Sequence, residues 1–167
     1  MKKQTKTIAR GATVAALYAV LTLVAAGFAF TAEQFRFSEA LTILPVFTPA
    51  AIPGLTLGCF LANLGSPYVL DMIFGTAASL LAAICTYFLR NVRIKGIPFL
   101  APLPPVLFNA VAVGLMITLS GSEGFLWPMF WSNAFMVGIS QFIVCYGLGI
   151  PLFLLIEKTG IKKAIFE

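Results

Sequence analysis

Lys2-Lys3-Gln4-Thr5-Lys6-Thr7-Ile8-Ala9-Arg10 leads into Gly11–Ala32, a stretch without one charged residue. Such a run is long enough for a bilayer core, which takes about 20 apolar residues per helix. Basic residues ahead of it would also suit a signal peptide, but the run is too long for an h-region and no polar segment follows it. Further uninterrupted stretches are Ala40–Leu70, Met72–Leu89, Gly96–Ser122 and Gly124–Ile156. Of the 11 Lys and Arg residues, all but Arg36 fall in three places: Lys2–Arg10, Arg90–Lys95 and Lys158–Lys163. Basic loops stay on the cytoplasmic side of a membrane, so this pattern predicts the topology as well as the class.

Composition agrees. The chain of 167 residues is 60% hydrophobic and 10% charged, with no histidine, whereas a soluble domain carries about 25% charged residues. The expected architecture is an all-α integral membrane protein, residues 1–167 forming one domain of six transmembrane helices with both termini inside. The first helix is expected from Thr7 to about Phe30. As one helix Ala40–Leu70 would run about 46 Å, and Pro45, Pro49 and Pro53 would break it. Two short helices, Ser38–Phe47 and Ile52–Leu64, are expected instead. The fourth is expected over Asp71–Arg90. The fifth falls within Pro98–Leu119, with an irregular start crowded by Pro102, Pro104 and Pro105. The sixth runs from Pro128 to Glu157. Glu33, Arg36, Glu39, Asp71 and Glu123 then fall in outer loops.

The net charge of +5 sits in short loops that topology explains, so it does not point to nucleic acid. Cys59, Cys85 and Cys145 lie in apolar runs, without the spacing of a zinc site or a disulfide framework. A phosphate-binding loop, an HExxH motif and a nucleophile with a histidine base are all missing from the sequence. Catalysis, and ATP hydrolysis by this chain alone, are not expected.

The candidate site begins at the charge that breaks the pattern. Arg36 stands in Gln34-Phe35-Arg36-Phe37-Ser38-Glu39, beside a carboxylate and between aromatics, a costly placement next to a bilayer. Glu39 either receives a ligand's N–H edge or ammonium, or sits at a helix start that Ser38 caps, with Arg36 neutralising it. Asp71 is similarly divided between ligand contact and capping. Asn109, Asn133, Gln141 and Asn63 either glue helices together or read a polar ligand. Asn133 and Gln141 share a helix face by spacing. Trp127, Trp131 and Tyr68 are expected in the aromatic belt or as a stacking platform; Phe35 and Phe37 are the better stacking candidates. Ala12, Ala15, Ala16 and Ala19 make overlapping small-residue pairs four apart, for packing within the chain or for docking to a partner.

Four stretches together resemble one family: Gln34–Leu44, Pro53–Leu64 (with Gly58 and Asn63), Asp71-Met-Ile-Phe-Gly75-Thr and Ala101-Pro-Leu-Pro-Pro-Val-Leu-Phe-Asn109-Ala. They resemble the QueT-type queuosine-precursor transporters, substrate-binding S components of energy-coupling factor (ECF) transporters. The resemblance spans nearly the whole chain and is weakest over Gly124–Gly138. It implies a cell-membrane protein that binds a 7-deazaguanine (preQ0, preQ1 or queuine) from outside. Its partners would be the coupling protein EcfT and two ATPases, which would consume the ATP; the chain itself would need no cofactor. Ala12 and Ala16 would dock on EcfT. On that reading Glu39 would accept the two-donor edge of the base, Asp71 would meet an aminomethyl cation and Asn109 or Gln141 would read the carbonyl. Phe35, Phe37 or a tryptophan would stack on the ring, and Arg36 would order the loop. Rival readings are an S component for another vitamin, a small oligomeric proton-coupled exporter, and a membrane scaffold.

Overall fold

The computed structural model describes residues 2–31, 34–122 and 124–159. Glu33, Glu123, Lys162, Lys163 and the side chains of Lys2 and Lys3 lie outside the described residues. Among the described residues the chain consists of helices joined by turns and irregular segments, with an isolated bridge between Ile94 and Ile97. Four helical stretches are long and apolar enough to cross a membrane: Gln4–Val24, Asp71–Leu89, Leu103–Ser120 and Trp127–Lys158. Two shorter apolar helices, Phe37–Val46 and Ala51–Asn63, complete the bundle. Large side chains such as Ile73, Phe88 and Phe135 are exposed on its flanks. So much outward-facing apolar surface suits lipid rather than water.

Helix α1 (Lys2–Val24) ends earlier than expected. Ala25 leaves helical geometry at φ −100° and ψ 26°, and a single turn, α2 (Ala26–Ala29), follows. The break turns the α2 carbonyls toward the returning chain: Phe28 O accepts from Phe35 N at 3.1 Å and Ala29 O from Arg36 Nε at 3.2 Å.

The next element differs in kind from the expected α-helix. Phe37–Val46 is a 3₁₀ helix, ten residues long. At about 2.0 Å per residue it reaches about 20 Å, where an α-helix of that length would span about 15 Å. Its three-residue period also stacks side chains in straight rows. Ser38, Leu41 and Leu44 form one row. Ser38 meets Thr22 on α1, while Leu41 and Leu44 join a core cluster with Val14, Tyr18 and Leu55. Glu39, Thr42 and Pro45 form a second row, and Thr42 lies against Cys145 at 3.8 Å.

Helix α3 (Ala51–Asn63) lies almost backbone to backbone on α1. A Cβ on Gly54 would stand 2.7 Å from Gly11 O, and one on Gly58 would stand 2.7 Å from Ala15 O. The alanine stripe of α1 therefore splits: Ala15 is buried in this contact, Ala19 is half-buried, and Ala12 and Ala16 are exposed. Helix α4 (Asp71–Leu89) matches its expected start and ends one residue short of Arg90.

After α4, Ile94 and Ile97 pair across Lys95 and Gly96, both at positive φ (51° and 83°), the signature of a tight hairpin turn. Turns then carry the chain to α5 (Leu103–Ser120), with Pro102 just ahead of the helix and Pro104 and Pro105 in its first turn. Proline fits a first helical turn, where its missing N–H costs no bond. Helix α6 (Trp127–Val144) approaches α5 closely through Gly114, where a Cβ would stand 2.7 Å from the Ala134 backbone. The expected sixth helix is continuous in span but not in type. A π turn, Cys145–Gly149, separates α6 from α7 (Ile150–Lys158). Pro151 supplies the reason, because it cannot donate to the Gly147 carbonyl and its ring would clash there.

Candidate functional site

The polar residues that the membrane makes expensive are gathered inside the bundle rather than displayed on loops. Arg36 is 3% exposed, Glu39 1% and Asp71 0%, which corrects their expected place in outer loops.

Arg36 pairs with Asp71, not with Glu39. It lies just ahead of the 3₁₀ helix in an extended conformation (φ −102°, ψ 106°), so its side chain leaves the row on which Glu39 stands. Its guanidinium also donates from Nη1 to Asn63 Oδ1 at 3.1 Å. Asn63 Nδ2 in turn donates to Asp71 O at 2.8 Å, and Ser66 Oγ donates to Asp71 Oδ2 at 3.1 Å. Gly75 leaves room for this knot, since a Cβ there would stand 2.7 Å from Asp71 Oδ1 and 2.8 Å from Asn63 Nδ2.

Neither expected cap forms. Arg36 and Leu70 are the residues at the two N-caps, without side-chain capping bonds. Ser38 Oγ shares a 2.6 Å hydrogen bond with Thr22 Oγ1 instead.

Glu39 stands apart from the ion pair. Tyr18 OH donates to its Oε1, while its Oε2 has no hydrogen-bond partner. Tyr18 lies six residues before Val24, which places this carboxylate about 9 Å in from that end of α1. Asn109 of α5 also faces Glu39 and donates from Nδ2 to Gln141 Oε1 at 3.0 Å. Gln141 Nε2 reaches Gln34 O at 3.5 Å. Gln34 itself is 1% exposed, has a positive φ of 51°, and carries an amide with neither atom bonded. A buried non-glycine residue at positive φ is strained, and such strain concentrates at functional positions.

The structure thus brings together Gln34, Glu39, Asn109 and Gln141, adds Tyr18, and sets Arg36 and Asp71 beside them. Asn133 lies elsewhere, donating to Thr118 Oγ1 at 3.0 Å, about 12 Å along α6 from Gln141. Trp131 is 64% exposed. Phe35 and Phe37 meet edge to face, centroids 5.3 Å apart, and line an outward groove with Ile143 and Gly147. A larger apolar cavity, about 420 Å³, lies between α1, the 3₁₀ helix and α7, lined by Thr13, Leu17, Leu44 and Leu155. None of the polar-cluster residues lines it, and the chemistry of that cluster makes the cluster the stronger candidate. Tyr18 and Thr22 were not legible as site residues, although a tyrosine inside a spanning segment needs a hydrogen-bond partner when buried. Among the described residues no group of three or more His, Cys, Asp or Glu side chains gathers to hold a metal ion.

Comparison with known proteins finds no match among curated proteins or solved structures. Residues 8–158 of the 167 match the model of the QueT transporter, and the chain belongs to the QueT transporter family.

Proposed function

We propose that this chain is the substrate-binding S component of an ECF-type importer in the cell membrane, taking up a queuosine precursor of the 7-deazaguanine class. The observation that carries the reading is the buried polar cluster, in which Glu39 Oε2 and the Gln34 amide are uncommitted. Uncommitted polar atoms inside an apolar bundle cost free energy unless something binds them. A flat heterocycle rich in N–H and C=O groups is the matching ligand. Family membership supports the transport role.

On this reading the bundle crosses the membrane six times with both termini inside, and the cluster opens toward the outside. EcfT and two ATPases supply the motive power, so the chain is no enzyme and holds no cofactor. Exposed Ala12 and Ala16 offer EcfT a flat helix face, whereas Ala15 is committed to α3.

The proton-coupled exporter remains as a second reading on one specific observation. A transporter of that kind needs an acid within the membrane, and Glu39 sits against Tyr18, inside α1 rather than at its end. Titrating the purified chain in detergent with 7-deazaguanines, guanine and riboflavin separates the readings. Saturable, selective binding of a 7-deazaguanine supports the S component. Failure of folded protein to bind one moves the assignment to the exporter or to another vitamin.

A further inference from the structure

We propose that the apolar cavity between α1, the 3₁₀ helix and α7 binds an anionic phospholipid of the inner leaflet, with an acyl chain in the cavity and the phosphate on Arg10. This goes beyond the substrate reading and rests only on a chain that lies in a membrane with its amino terminus inside.

The cavity is apolar except at one end. Val14, Leu44 and Ile156 are buried and form its floor, while Leu17 and Leu155, 49% and 55% exposed, stand at its open rim. Apolar cavities of about 150 Å³ stay dry and take up hydrocarbon guests; this one measures about 420 Å³. Thr13 and Arg10 are the polar side chains on its wall. The Thr13 hydroxyl is spent on Ala9 O at 3.0 Å, which leaves the Arg10 guanidinium to meet a ligand. The matching ligand is a long apolar chain with an anionic group at its end.

Position and charge identify that ligand as a lipid. Arg10 is the last charge before the apolar span of α1, which puts it at the level of the headgroups. Leu17 lies seven residues further on, about 10 Å along the helix. The cavity therefore runs from the headgroups into one leaflet of a hydrocarbon core about 30 Å thick. Arg10 is half-buried, yet the ion pairs among the described residues are Arg36–Asp71 and Arg93–Glu157, so no acid there neutralises it. Lys6, one turn earlier on α1, and Lys158, two residues beyond Ile156 on α7, add positive charge. Anionic lipids are concentrated in the cytoplasmic leaflet, and a guanidinium matches phosphate with two parallel hydrogen bonds. One lipid thus fills the apolar space and supplies the missing counter-charge.

The test is native mass spectrometry of the purified full chain in detergent, titrated with phosphatidylglycerol or phosphatidylcholine of identical acyl chains. A one-to-one adduct is expected with both lipids, forming at about fivefold lower concentration with phosphatidylglycerol, the scale of one basic residue at an anionic surface. Arg10→Gln is expected to remove that preference, whereas Lys95→Gln, in the loop after α4, is expected to keep it. Thr13→Trp, which fills the cavity from its exposed rim, is expected to abolish the adduct with both lipids. Melting temperatures of the three variants confirm that each is folded. Equal binding of the two lipids by the unaltered chain would mean ordinary boundary lipid and overturn the proposal. So would a phosphatidylglycerol preference that survives Arg10→Gln, or an adduct that survives Thr13→Trp. If the free chain holds no lipid and Thr13→Trp abolishes only co-purification with a coupling protein, the cavity belongs to that protein and the proposal fails.

Discussion

At the scale of residues, two acids one helical element apart have different partners: Asp71 pairs with Arg36, and Glu39 accepts from Tyr18. Asp71 is a strut: Arg36 and Ser66 hold its Oδ2, and Asn63 Nδ2 holds its backbone carbonyl. Removing one partner of a buried ion pair strands the other charge, at about 3–5 kcal/mol. Arg36→Met and Asp71→Leu are each expected to lower stability by that order, while the double variant loses less than the sum. Unfolding in detergent across the mutant cycle measures this; additive losses would show that the pair is not coupled. The acids, Asn109 and Gln141 stood out in the sequence because polar groups are rare in apolar runs. Their partners did not, because pairing depends on which row of which helix each residue occupies. Arg36 is three residues from Glu39, yet it turns to Asp71 because its own backbone is extended.

At the scale of elements, glycine and helix type set the geometry. Gly58 lets α1 and α3 touch, and a Cβ there would also stand 2.8 Å from Tyr18 Cβ. Gly58→Val is expected to destabilise the bundle by about 1–3 kcal/mol through overpacking and to shift Tyr18 away from Glu39. Gly147→Ala, which meets nothing within 4 Å, is expected to change stability far less. Denaturant titration of the two variants side by side checks the contrast. Helices α3 and α4 were legible because turn residues such as Pro49, Gly65 and Pro67 bracket them. The 3₁₀ helix and the π turn were not. Phe37–Val46 is buried on nearly every side, so its apolar pattern has no period by which a three-residue turn could be told from an α turn. The π turn follows from one missing N–H at Pro151, a local effect that a span count cannot detect.

At the scale of the whole molecule, the proposed function puts recognition and partner docking on different surfaces. The polar cluster is enclosed by α1, the 3₁₀ helix, α3, α4, α5 and α6, whereas Ala12 and Ala16 face outward. Ala16→Trp is therefore expected to leave ligand affinity unchanged while abolishing co-purification with the coupling protein. Loss of ligand binding in that variant would show that the two surfaces are one. The broad class was legible from charge spacing, because insertion into a bilayer imposes it directly. The commitment of Ala15 to packing within the chain was not, because it arises only when α1 turns Ala15 inward against Gly58. The measurement that tests the central claim most directly is equilibrium binding of 7-deazaguanines to the purified chain, free of coupling protein and ATPases, beside its Glu39→Gln variant. The account predicts saturable binding of a 7-deazaguanine by the chain alone, no binding of riboflavin, and a marked loss of affinity in the variant. Folded protein that binds no 7-deazaguanine, or binds one equally well without the Glu39 carboxylate, would contradict it.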